Sequence, residues 1–307
     1  MNRPTIGLAL GAGVARGWAH IGVIHRLLEA GIEPDVVAGT SIGAVVGGAH
    51  SAGKLDVLED WARHLSGVRM LRFLDLALNS GGLIGGKRLK KILTEHMGKL
   101  DIEDLPNRFV SVTTELSTGH EIWVREGNLV DGIIASYALP GIFPPVQLNG
   151  RWLVDGAMVN PVPISVCRAY GARLVISVNL NGDVFGRNNL SDEFLSESDM
   201  TAPDVMQRIR ENPKEALNPS AMVMRRLLGR DAGAPSIFSV MMSSIDIVQD
   251  RLNRSRMAAD PSDVNIEPKL GLIGMMEFDR AEECIAEGYR AADEAIPSIM
   301  DALAILA

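Results

Sequence analysis

Apolar positions along this chain fall into two alternating patterns. Short continuous runs at 6–10, 36–39, 109–114, 121–124, 152–154 and 174–179 are rich in β-branched residues and predict strands. Between them, apolar residues recur at helical spacing over 18–28, 41–52, 55–65, 86–97, 129–137 and 163–170, which predicts helices. The alternation predicts an α/β fold: a mainly parallel central sheet flanked by helices on both faces, in three layers. The pattern fades over 182–236, which is polar, carries scattered prolines and holds a serine-acid run from Ser191 to Asp199. That composition predicts a flexible or partly disordered insertion. Regular patterning returns at 237–252, followed by a short strand at 264–266 and two helices, 278–292 and 296–305. The expected organisation is a main domain over 5–181, the insertion over 182–236, and a helical C-terminal region over 237–307 packed on the same domain.

Composition narrows the class. The chain has 307 residues, 47% hydrophobic and 22% charged, which suits a soluble globular protein. Its formal net charge of −8 argues against a nucleic-acid partner. The basic run Lys87 to Lys91 reads as a solvated helix face. Two cysteines, Cys167 and Cys284, lie far apart without metal-ligand spacing, as expected in a reducing compartment. The apolar run after Met1 is too short for a signal segment, and no transmembrane run follows. The expected location is cytoplasmic, with membrane contact confined to a peripheral role at the inner face. Val68 to Leu74 and Ser239 to Met242 read either as interfacial elements or as ordinary core.

Candidate chemistry centres on Gly39-Thr40-Ser41-Ile42-Gly43, which joins a predicted strand to a predicted helix. Strand, G-x-S-x-G and helix form the context of a nucleophile elbow, with Ser41 at its tip and Gly39 and Gly43 permitting the sharp turn. A serine needs a base and oxyanion donors. The loop Gly11-Ala12-Gly13-Val14-Ala15-Arg16-Gly17 ends the first strand and has two readings: a pyrophosphate cradle, or a set of backbone amides aimed at an oxyanion. Its G-x-G-x-x-x-G spacing is one residue longer than the dinucleotide fingerprint, and no acidic residue ends the second strand. Beside an elbow, the oxyanion reading is preferred. None of the six histidines lies after Asp155, so the Ser, acid, His order of α/β-hydrolases is missing. His20 stays as a catalytic outsider near the glycine loop, whereas His50 is expected to point away from Ser41. Asp155-Gly156-Ala157 follows a strand and offers a carboxylate base; a capping aspartate is the plain alternative.

Together these motifs resemble the patatin-like phospholipases. The likeness rests on the loop ending in Arg16-Gly17, on Gly39 to Gly43, on Asp155-Gly156-Ala157, and on the segment Ala135 to Pro145. It covers about Ile6 to Leu180, and the tail is similar to short bacterial members. The resemblance implies a Ser41–Asp155 dyad without histidine, acting on acyl-ester lipids. Its oxyanion donors would fall among the backbone N–H groups of Gly11, Ala12 and Gly13, with no metal and no cofactor. Arg16 is expected to steady the loop or to meet an anionic head group. Ala12 departs from the glycine common at that place, which matters only if the backbone there needs positive φ. Two other function classes stay open at this level: a non-catalytic regulator that binds lipid or protein, and a nucleotide-dependent enzyme using Gly11 to Gly17. Oligomeric state is not legible.

Overall fold

The computed structural model describes residues 3–65, 87–183 and 237–307. Strand β1 (Ile6–Leu10) leads through a 3-10 turn (Val14–Trp18) into α1 (Ala19–Glu29), and β2 (Val36–Thr40) leads into α2 (Ile42–Ser51) and α3 (Leu55–Arg63). After α4 (Lys87–Met97) come β3 (Arg108–Glu115), β4 (Glu121–Val124), α5 (Leu129–Ser136), β5 (Val146–Leu148) and β6 (Arg151–Asp155). Then follow α6 (Ile164–Ala169), β7 (Leu174–Val178), α7 (Ile237–Ala259), β8 (Val264–Ile266) and α8 (Ala281–Leu306). The bulk of the expected insertion, 184–236, and the stretch 66–86, which includes Val68 to Leu74, lie outside the described residues.

The strands join one sheet in the order β5-β6-β3-β2-β1-β7-β8, with β4 also paired to β3. β1, β2, β3, β7 and β8 run parallel, while β4 and β6 run against β3, and β5 against β6. Successive side chains point to opposite faces, and both faces are covered. Leu8, Leu10, Val37, Phe109 and Ile176 pack with α1, α2 and α8 on one side. Ala9, Val36, Ala38, Val110 and Val175 pack with Ile164, Val166 and Cys167 of α6 on the other. This is the expected three-layer α/β arrangement.

Two details differ from the sequence pattern. The strand expected at 152–154 is the second arm of a hairpin, turned by Asn149 (φ 49°) and Gly150 (φ 76°). Two successive residues at positive φ suit a tight hairpin, and Asn-Gly is its strongest dipeptide signal. The two C-terminal helices are one, α8, with Pro297 inside it. Proline removes one helical hydrogen bond, yet buried Ala291, Ala292 and Ile299 on either side keep the helix seated. Further back, α8 lies so close to α1 that a Cβ on Gly22 would stand 1.9 Å from the Ile285 carbonyl oxygen, and one on Gly288 1.9 Å from that of Ala19.

Candidate active site

The elbow forms because β2 ends at Thr40 and α2 begins at Ile42, leaving Ser41 to make the whole turn. Ser41 adopts φ 57° and ψ −123°, a region that a side chain disfavours. Such strain persists only where the surroundings over-determine it. Here they do. A Cβ on Gly39 would lie 2.4 Å from the Gly43 carbonyl oxygen, and one on Gly43 would lie 2.2 Å from that of Leu10. Ser136, at the end of α5, accepts the Ser41 N–H at 2.9 Å and donates its own hydroxyl to the Val112 carbonyl at 2.5 Å. The elbow is thereby tied to β3.

Strand β3 also brings the carboxylate to the serine. Thr40 of β2 is in register with Val112, and Asp155 of β6 is in register with the next residue, Thr113. β4 occupies β3 at Ser111 to Thr114, overlapping the β6 register, so β4 and β6 must take opposite edges. β6 therefore continues the edge that β2 leaves, and the two strand ends meet head-on. Ser41 Oγ donates to Asp155 Oδ2 at 2.7 Å, while Asp155 Oδ1 accepts the Ala157 N–H at 2.8 Å. Gly156 is required at this junction, since a Cβ there would fall 2.2 Å from the Val112 carbonyl oxygen. Asp155 is buried, and desolvation raises its pKa from the ordinary 3.8 to about 7, against the opposing pull of its bonds to Ser41 and Ala157. Tyr137 stands nearby, half-buried; loss of solvent around its phenol first, and the Asp155 charge second, raise its pKa well above 10, so it stays neutral.

The glycine loop lies beside the elbow because Leu10 is in register with Gly39. Its amides are not all free. Gly11 N–H donates to the Val178 carbonyl at 3.1 Å and Ala12 N–H to the Pro161 carbonyl at 2.9 Å. Among the described residues, Gly13 N–H donates to no group, nor do the Ile42 and Gly43 N–H groups that open α2. Of the expected donors Gly11, Ala12 and Gly13, only the Gly13 N–H is without a partner among the described residues, since the other two amides bind the loop to neighbouring backbone. The same engagement counts against a pyrophosphate cradle, which needs several free amides together. Ala12 does not take positive φ, so its side chain introduces no strain.

Arg16 is fully buried. Its Nε donates to the Ile273 carbonyl at 2.9 Å and its Nη1 to Asn181 Oδ1 at 3.3 Å, with Asp246 Oδ1 at 3.6 Å. These contacts tie the loop to Asn181 and to the C-terminal segment. Desolvation lowers the pKa of the guanidinium, and the Asp246 charge opposes that. His20 meets the Gly11 carbonyl rather than Ser41. His50 borders a cleft of about 830 Å³, also lined by Arg3, Asp35, Arg108 and Tyr170, at the N-terminal ends of β1 to β3. That cleft is at the opposite end of the sheet from Ser41, and neither Ser41 nor Asp155 lines it. Met242 of the apolar Ser239 to Met242 stretch is buried against Leu139, Ile142 and Met275, with Val14 and Phe143 alongside. Both cysteines are buried and free. Among the described residues, no three His, Cys, Asp or Glu side chains gather as a metal site, and no helix is long and apolar enough to cross a membrane.

Sequence reasoning from motifs found Ser41, Asp155 and the loop; it missed Ser136. That residue stood inside the segment Ala135 to Pro145, but its role depends on α5 crossing β3, which no local pattern shows.

The site is thus a strained serine at a strand–helix elbow, hydrogen-bonded to a buried carboxylate at the carboxyl end of an α/β sheet. Residues 8–168 match the model of the patatin-like phospholipase family, which spans more than half of the chain. The chain belongs to that family of lipid-ester hydrolases. An uncharacterized NTE family protein of Mycobacterium tuberculosis (strain H37Rv) is 34% identical over 96% of this chain and 92% of its own length. Lysophospholipase NTE1 of Pyricularia oryzae is 28% identical over 97% of this chain and 19% of its own length. Among solved structures, VipD from Legionella pneumophila shares the fold, with a TM-score of 0.54 and 13% identity, covering 97% of this chain and 67% of that one.

Proposed function

We propose that this protein is a serine acyl hydrolase of the phospholipase A or lysophospholipase type, working through Ser41 and Asp155. The observation that carries the proposal is the 2.7 Å hydrogen bond from Ser41 Oγ to Asp155 Oδ2 at a strained elbow. An ordinary carboxylate is a weak base. Burial lifts this one to about 7, where proton acceptance at neutral pH becomes favourable. Ser41 Oγ attacks the acyl carbonyl carbon while its proton moves to Asp155. The carbonyl oxygen becomes an oxyanion, received by the Gly13 N–H with support from the positive end of α2. The intermediate collapses as the ester C–O bond breaks, and Asp155 returns the proton to the departing alcohol. Asp155 then takes a proton from water as its oxygen attacks the acyl-serine carbonyl carbon; the carbon–Oγ bond breaks, Asp155 returns the proton to Ser41 Oγ, and the fatty acid leaves. The reading needs no metal, so EDTA should leave the rate unchanged.

The substrate class follows from the family and from the lysophospholipase named among its relatives. The substrate is taken as a membrane lipid met peripherally, by a protein on the cytoplasmic side. We assign 5–181 as the catalytic domain and 237–307 as a region packed on it. Release of fatty acid from mixed phospholipid and lysophospholipid micelles tests the function. Wild type should release it, and Ser41→Ala should not; equal release by both sinks the proposal.

A further inference from the structure

His20 is a buried titratable side chain that the proposed reaction leaves unused. It stands in the first turn of α1, fully buried, with Nε2 2.7 Å from the carbonyl oxygen of Gly11. A carbonyl oxygen only accepts, so Nε2 carries the proton and the neutral ring leaves Nδ1 bare. Nδ1 is buried and has no partner among the described residues. Burial holds the ring's pKa down at about 4, so it is neutral at physiological pH. Packing alone gives a poor account of this residue. The rest of the buried face of α1 is Ala19, Ile21, Gly22, Val23, Ile24 and Leu27, and an unpartnered ring nitrogen there is unfavourable.

What His20 holds is a single peptide plane. The Gly11–Ala12 peptide is gripped at its oxygen by His20 and at its N–H by the Pro161 carbonyl. Ahead of it, Gly11 N–H is fixed by Val178; after it comes the free Gly13 amide. His20 is the only side chain among these anchors. We infer that His20 is a positioning residue for the oxyanion loop, gripping the Gly11 carbonyl so that the Gly13 amide is aimed at the site of the developing charge. Without that grip the carbonyl is an unheld acceptor in the loop, and turning it toward the reacting carbonyl would oppose the oxyanion. The inference rests on the Ser41–Asp155 reading for its catalytic consequence, but not for the contact itself.

Hydrolysis of p-nitrophenyl butyrate by wild type, His20→Leu and His20→Gln tests it. Loss of an oxyanion donor costs about 10²–10³ in kcat, so a mis-aimed one should cost about 10–100-fold in His20→Leu with KM within about twofold. Gln places an amide N–H near the position of Nε2 and should recover kcat to within about fivefold of wild type. A kcat within about twofold of wild type in His20→Leu, whatever its melting temperature, overturns the inference. Nitrogen-15 shifts of His20 in the wild type supply a second reading that needs no variant and no activity. They should show Nε2 protonated and Nδ1 bare at pH 7, and the opposite tautomer overturns the inference. A wild type that shows this tautomer but no hydrolysis would instead count against the Ser41–Asp155 reading.

Discussion

The loops that follow β1 and β2 are neighbours, yet they use their backbone in opposite ways. After β1, the Gly11 and Ala12 amides and the Gly11 carbonyl are all bonded to the scaffold, leaving Gly13 as the first free donor. After β2, the chain turns on one strained residue, Ser41, whose next two amides, Ile42 and Gly43, have no partner among the described residues and whose side chain points at a carboxylate. One loop is held so that a peptide group is placed; the other is held so that a side chain is placed. Both loops are short of room: a Cβ on Gly11 would stand 2.8 Å from the Val178 carbonyl oxygen, and one on Gly39 or Gly43 closer still to backbone, whereas Ala12 carries its Cβ on a backbone without positive φ.

The sharpest way to break the comparison is Gly43→Ala. Its Cβ would stand 2.2 Å from the Leu10 carbonyl oxygen, where only backbone could give way. Urea unfolding should show a loss of about 3–5 kcal/mol or no folded protein at all, placing it among overpacking and strain mutations.

Acidity gives the next largest effect. Asp155 must be ionised to accept the serine proton, so kcat/KM should fall about tenfold per pH unit below about 7. Stability runs the other way. The folded pKa of about 7 lies above the ordinary 3.8, so between these values the folded state binds more protons than the unfolded. This group's contribution to stability therefore declines as pH rises from about 4 to 7. Above pH 7 the buried charge is unfavourable by on the order of 4 kcal/mol. Asp155→Asn should melt higher than wild type at pH 8, with the gap closing by pH 4. A variant that melts lower at pH 8 would show that the carboxylate is not destabilised as described.

Ser136→Ala sharpens the elbow half. It removes the acceptor for Ser41 N–H and the donor to Val112, and should cost about 1–3 kcal/mol with about a tenfold lower kcat. The smallest effect belongs to the other loop. Ala12→Gly should change kcat by less than about threefold and lower stability by no more than about 1 kcal/mol, since the backbone there needs no glycine. A large gain in activity would mean that Ala12 does restrain the loop.

Much of this was legible in the sequence. The three layers follow from alternating apolar periods, and the elbow and Asp155 lie in local motifs whose glycines now have a steric reason. The hairpin at Asn149-Gly150 was also written in the chain, but its arms are too short to stand out as alternating runs. Other features depend on tertiary contact. Nothing local tells that Val178 and Pro161 engage the Gly11 and Ala12 amides, or that Ser136 bridges the elbow to β3. Pro297 reads as a helix break because the packing that overrides it comes from elsewhere in the fold.

The central claim is that Ser41 is a nucleophile activated by Asp155. Its most direct test is the rate of labelling by a fluorophosphonate, followed by intact mass and peptide mapping. Wild type should gain one adduct, on Ser41, and Ser41→Ala none, while Asp155→Asn should label at least about a hundredfold more slowly. Labelling at another residue, or equal rates in wild type and Asp155→Asn, would contradict the account.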